Sequence, residues 1–133
     1  MIKESELRIG NYILWKKDNR IAVKQCSYEI FDALSKGNSS DGYPLVLKAE
    51  WLTKAGFVEN MKYALLPQAR QFILALPVNG GQKSELHAFI KSNGECFGRA
   101  MTNDTPSSNN FYHMHQLQNL YQALTGEELP IKQ

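Results

Sequence analysis

Two histidines separated by one residue, in Tyr112-His113-Met114-His115, are the most chemically suggestive short string in the chain. On an extended backbone alternate side chains share a face, so His113 and His115 can offer two imidazoles to one metal ion; at a helix start they diverge. No Cys, Asp or Glu lies within eight residues of either, and His87 can join them only through the fold. The expectation is that no metal is held: His115 helps satisfy backbone groups at a helix start, and His113 is solvated. Cys96 with a histidine beside it would have the parts of a thiol nucleophile and its base. It alternates within a strand-like segment, as a small buried hydrophobe does. The acids Asp32, Asp41, Glu50, Glu59, Glu85, Glu95 and Asp104 are scattered, and Glu127-Glu128 adjoin the last helix terminus, so paired carboxylate chemistry has no basis. Asn79-Gly80-Gly81 is not followed by the Gly-Lys-Ser/Thr of a phosphate loop and reads as a turn. No catalytic residue and no cofactor is expected.

Lys16, Lys17, Arg20 and Lys24 make the densest basic patch, with Asp18 the acid between them and Tyr12 and Trp15 nearby. A basic hairpin with adjacent aromatics can contact phosphates and stack a base. The competing reading is that a hairpin tip carries charge for solubility and edge protection while its aromatics face the core. The second is preferred, because four cations without a global excess give only modest phosphate affinity. Trp51 and Tyr121 lie on the apolar stripes of their helices and are expected in the core.

These residues need elements to position them. Leu7 to Trp15 is rich in β-branched and aromatic residues and predicts a strand, with Gly10 a bulge or close approach. Asp18-Asn19 predicts the turn of a hairpin that resumes at Ile21-Ala22-Val23-Lys24. Tyr28 to Leu34 fits neither period cleanly and is taken as a third strand. Ser35 to Gly42 is composed of turn formers and predicts a loop. Lys48 to Phe57 predicts a short helix with Trp51, Leu52 and Ala55 on one face and Gly56 as its stop. Gln71 to Val78, Glu85 to Lys91 and Cys96 to Met101, separated by Asn79-Gly80-Gly81 and Asn93-Gly94, predict a three-strand antiparallel meander. Thr102 to Asn110 has no apolar residue and predicts a mobile loop that orders on binding. Leu117, Leu120, Tyr121 and Leu124, followed by Gly126, predict the final helix. The sum is one α+β domain over residues 1–133: a largely antiparallel sheet of five to seven strands, built of hairpins and a meander, packed by a short middle helix and a C-terminal helix.

Composition sets the outer bounds. The chain has 133 residues, 43% of them hydrophobic and 21% charged, which suits one soluble domain with its own core. Fifteen Lys and Arg against thirteen Asp and Glu leave +2, without the dense positive charge of a dedicated nucleic-acid binder. Charges at Lys3, Glu4, Glu6 and Arg8 argue against an export signal, and no run approaches the ~20 apolar residues of a membrane span. The expected address is cytoplasmic, with no membrane partner and with Cys26 and Cys96 as reduced thiols.

Three segments carry a resemblance: LRIGNYI at 7–13, PLVLKAEWLTKAGF at 44–57 and MHQLQNLYQALTGEEL at 114–129, together 37 residues. They resemble a family of small uncharacterised proteins from anaerobic gut-type bacteria and their phages or other mobile elements. The resemblance implies no activity, cofactor or catalytic residue. Where members of that family usually offer a Thr to cap the helix before Glu-Trp-Leu, this chain has Lys48, which weakens the helix start. The function expected from the residues is that of a non-enzymatic accessory or interaction protein binding a protein partner or itself. The alternative is a nucleic-acid-binding accessory protein that uses Lys16, Lys17, Arg20 and Lys24.

Overall fold

Asp18 and Asn19 take φ of 51° and 62°, the left-handed pair that a two-residue hairpin turn requires and that Asp and Asn tolerate better than other side chains. They join β1 (Tyr12–Lys17) to β2 (Arg20–Gln25) in the register Lys17 opposite Arg20 through Tyr12 opposite Gln25. The computed structural model describes residues 4–35, 42–60, 69–77 and 82–132. The loop expected at 35–42, apart from its ends, and the Asn79-Gly80-Gly81 turn lie outside the described residues.

The chain continues through α1 (Tyr28–Ser35), β3 (Gly42–Pro44), α2 (Ala49–Lys54), β4 (Val58–Glu59), β5 (Ala69–Ala75), β6 (Ser84–Lys91), β7 (Cys96–Thr102), β8 (Thr105–Pro106) and α3 (Met114–Thr125). The α+β architecture read from the sequence is present, but as two antiparallel sheets: β2-β1-β3 and β4-β5-β6-β7-β8. The expected meander is β5-β6-β7. No helix among the described residues is long and apolar enough to cross a membrane.

Three expectations are corrected. Tyr28 to Leu34 is a helix, not a strand. Ser27 Oγ accepts the Ile30 amide at its start, and Ile30, Phe31 and Leu34 then fall on one side and pack with Leu7 and Ile13. Leu7 to Asn11 is not strand; the ladder begins at Tyr12, after an irregular step in which Gly10, at φ 101°, donates to the Cys26 carbonyl and the Asn11 carbonyl accepts the Cys26 amide, while the Asn11 side chain accepts the Arg8 amide. Thr102 to Asn110, expected as a loop throughout, contains a turn and a short strand. Asn103 and Asp104 take φ of 50° and 64° and turn the chain into β8, which pairs with β7 without any partner.

The main core lies between the five-stranded sheet and the helices: Phe72, Leu86, Ala88 and Ala100 meet Leu47, Leu52, Phe111, Met114 and Leu117. Leu52 and Leu117 are fully buried, each contributing roughly 2 kcal/mol of apolar burial. On α3 the buried face is rotated from the expected stripe: Met114, His115, Leu117 and Gln118 point inward, while Leu124 is 47% exposed. Gln118 is inward because it serves backbone. Its Oε1 accepts the Tyr12 amide at 2.8 Å and its Nε2 donates to the Gly10 carbonyl at 3.1 Å. Asn119 Oδ1 accepts from Asn11 at 2.9 Å and from Arg8 Nε at 2.8 Å, and Arg8 also pairs with Glu128. LRIGNYI and HQLQNLYQALTGEEL are thus clasped together, and the clasp fixes β1 against α3.

At α2, Lys48 holds the extended N-cap geometry (φ −139°, ψ 165°) without a side-chain cap bond. Lys48→Thr places a hydroxyl where the first-turn amides lack an acceptor, and is expected to raise unfolding free energy by about 1 kcal/mol. Denaturant titration beside Lys48→Ala checks this; equal midpoints for the two variants would contradict it.

Candidate binding site on the hairpin

Directly opposed residues of an antiparallel ladder share a face, so the hairpin sorts its side chains by register. One face carries Ile13, Trp15 and Lys17 opposite Lys24, Ala22 and Arg20. The other carries Tyr12, Leu14 and Lys16 opposite Gln25, Val23 and Ile21. Leu7 and α1 cover the Ile13 end of the first face. The uncovered remainder is an open groove of about 550 Å³ lined by Trp15, Lys17, Asp18, Arg20, Ala22 and Lys24. The small Ala22 opposite Trp15 leaves one part of the indole accessible while the other packs with Leu7, Ile13 and Leu34.

Of the four expected cations, the fold gathers Lys17, Arg20 and Lys24 around Trp15. It sends Lys16 to the opposite face, where its ammonium lies 4.5 Å above the Tyr43 ring. Tyr12 is not part of the patch either: it turns to the main core and meets Trp51 at 5.5 Å between ring centroids. The backbone of the hairpin is open as well. β2 is the outer strand of its sheet and all six of its residues are exposed. Ile21 is 65% and Val23 44% exposed, both on the face away from the three cations. Alternation of Ile21 and Val23 with cations was the available signal.

The other chemical candidates resolve as structure. His113 and His115 stack at 5.9 Å between ring centroids, and neither takes its expected role. His113 is the N-cap residue of α3, while His115 is only 1% exposed, with neither ring nitrogen hydrogen-bonded among the described residues. Gln116 Oε1 accepts the Tyr112 and His113 amides at 2.8 and 3.1 Å. Burial, then the neighbouring His113, pushes the His115 imidazole down to about 4 against the opposing pull of Glu6. Among the described residues no cluster of three His, Cys, Asp or Glu could hold a metal. Burial pushes the Cys96 thiol up to about 11, which withholds the thiolate that nucleophilic chemistry needs.

His87 forms a polar chain not anticipated from the sequence, although Glu85 and His87, two apart on a strand, must share a face. Its Nδ1 lies 3.3 Å from Gln71 Nε2 and its Nε2 lies 3.1 Å from Glu85 Oε1. Asn60 in turn donates to Gln71 at 3.1 Å. With Nδ1 accepting from the amide, Nε2–H donates to the carboxylate; both ring nitrogens are then occupied, and the chain ties β4's end to β5 and β6.

The hairpin is therefore the part of the described surface where charge, an aromatic ring, exposed aliphatics and an open sheet edge coincide. No protein-family model, curated protein or solved structure matches the chain.

Proposed function

We propose that this protein is a small non-enzymatic accessory domain that binds a protein partner, or a second copy of itself, through the β1–β2 hairpin. The observation that carries this reading is the exposure of all six β2 residues at a sheet edge, Ile21 and Val23 included. A solubility device accounts for the cations there but not for two exposed β-branched residues beside an open ladder. The clasp through Gln118 and Asn119 holds the hairpin on a fixed base, as a rigid recognition element needs. A cytoplasmic address and an origin in phage or mobile elements fit this reading, and the origin rests on the resemblance.

The second reading, nucleic-acid binding, draws support from the Lys17, Arg20 and Lys24 groove around Trp15. About three phosphate contacts would give a log–log salt slope near −2 on single strands. The two readings separate in one experiment: affinity capture of the tagged protein from its host lysate, with and without nuclease, using wild type, Ile21→Asp/Val23→Asp and Lys17→Glu/Arg20→Glu. The expected result is a stoichiometric protein that survives nuclease and is lost at least tenfold with Ile21→Asp/Val23→Asp. Recovery that requires DNA or RNA and disappears with Lys17→Glu/Arg20→Glu would replace the first reading by the second.

A further inference from the structure

We infer that the β2 edge accepts an extended peptide strand whose side chains alternate between acidic and aliphatic; this rests on the hairpin being the binding element. A two-residue turn makes Lys17 and Arg20 the hydrogen-bonded pair next to it, and antiparallel pairs alternate. Arg20, Ala22 and Lys24 therefore spend their peptide groups on β1. Ile21, Val23 and Gln25 direct their amides and carbonyls outward, along an edge on which no described strand pairs.

An added strand continues the period of two. Its residues on one face lie beside Arg20, Ala22 and Lys24, with Lys17 adjoining them, and there carboxylates are favoured. Its residues on the other face lie beside Ile21 and Val23, and there aliphatic side chains cover what is now exposed. Asp18, at the turn, lines the same groove and leaves the three cations in excess there. Charge also decides between the two partners of the broader proposal. A second copy paired antiparallel about Ala22 places Arg20 opposite the second copy's Lys24 and doubles the cations on one face, an arrangement that opposes pairing. An acidic strand gains from the same cations. The groove beside Trp15 then holds the partner's acidic side chains rather than a nucleic acid backbone.

The test uses the intact protein and a capped eight-residue peptide of alternating glutamate and valine, with a peptide of the same composition in block order and an oligothymidylate as controls. Backbone amide shifts and hydrogen exchange are followed. The alternating peptide is expected to slow exchange at Ile21, Val23 and Gln25 at least tenfold and to bind at least tenfold more tightly than the block peptide. Arg20→Glu/Lys24→Glu, two exposed positions whose replacement leaves the core intact, is expected to lose that binding at least tenfold. Equal binding of the block peptide without protection of the three amides would overturn strand addition while leaving the hairpin as the binding element. Slowing of the same amides with rising concentration of the protein alone would overturn it in favour of a second copy, and shifts at Lys17, Arg20 and Lys24 with oligothymidylate alone would overturn it in favour of nucleic acid. Failure of the broader proposal looks different: a captured partner indifferent to Ile21→Asp/Val23→Asp.

Discussion

Gly98→Ala is expected to destabilise the protein by about 4 kcal/mol, at the upper end of what one added methyl does in a packed interior. Gly98 sits in β7 with the Phe111 ring pressed on its Cα. A Cβ there would stand 2.2 and 2.5 Å from two Phe111 carbons and 2.6 Å from the His87 carbonyl oxygen. The contact is held from both sides, since Gly98 and Phe111 exchange amide-to-carbonyl bonds of 2.9 and 2.8 Å. Phe111 is only 2% exposed and has no room to withdraw. Removing the ring does not cure the fault, because the His87 oxygen belongs to the neighbouring strand; Gly98→Ala with Phe111→Ala is expected to be no more stable than Gly98→Ala alone. Gly94→Ala is the control. Its φ of 89° costs an alanine about 1 kcal/mol, but nothing lies within 4 Å of the new methyl. Denaturant titration of the three variants decides it: a loss at Gly98 no greater than that at Gly94 would contradict the packing described. Phe111 leads directly into α3, so the same contact sets the helix that fixes the hairpin.

Lowering the pH from 7.5 to 5 is expected to remove about 2 kcal/mol of stability through His115 alone. The folded protein keeps this imidazole neutral to about 4, because burial and the nearby His113 disfavour its charge more than Glu6, 3.8 Å away, favours it. The unfolded chain takes up the proton near 6.5. The unfolded state therefore binds more protons throughout that interval. The contribution is whole above 6.5 and falls as pH drops, levelling once the folded imidazole itself protonates near 4. His113, also held below its ordinary value chiefly by burial, adds to the slope in the same direction. Ring-proton titration by NMR reads the effect directly. A His115 ring that titrates at 6 or above would contradict it, as would a denaturation midpoint unchanged between pH 7.5 and 5.

What could be read from the residues was local. Asp18-Asn19 between β-branched runs predicts a hairpin because the turn chemistry and the ladder agree over a few residues, and Gly126 stops α3 for the same kind of reason. α1 was misread where a local signal was present but outweighed: the Ser27 cap marks its start, yet Ile30 and Phe31 in succession blur the helical period. The inward face of α3 was legible only in part. Leu117 belongs there by periodicity, but Gln118 is drawn inward by the Gly10 carbonyl and the Tyr12 amide, more than a hundred residues away. Of the candidate site, Lys17, Arg20 and Lys24 were legible as a patch, while the departure of Lys16 to Tyr43 follows from register. The open edge of β2 was signalled only by the alternation of Ile21 and Val23 with cations, since which strand lies outermost depends on where β3 pairs.

The most direct test of the hairpin as binding element is photo-cross-linking in the host. A photoreactive residue is placed singly at Ile21, Val23, Val58 or Leu124, four exposed aliphatic positions in different parts of the surface. The expected result is one nuclease-resistant protein adduct, shared by positions 21 and 23 and missing from 58 and 124. Adducts at 58 or 124 with none at the hairpin would contradict it and move the binding surface elsewhere on the fold.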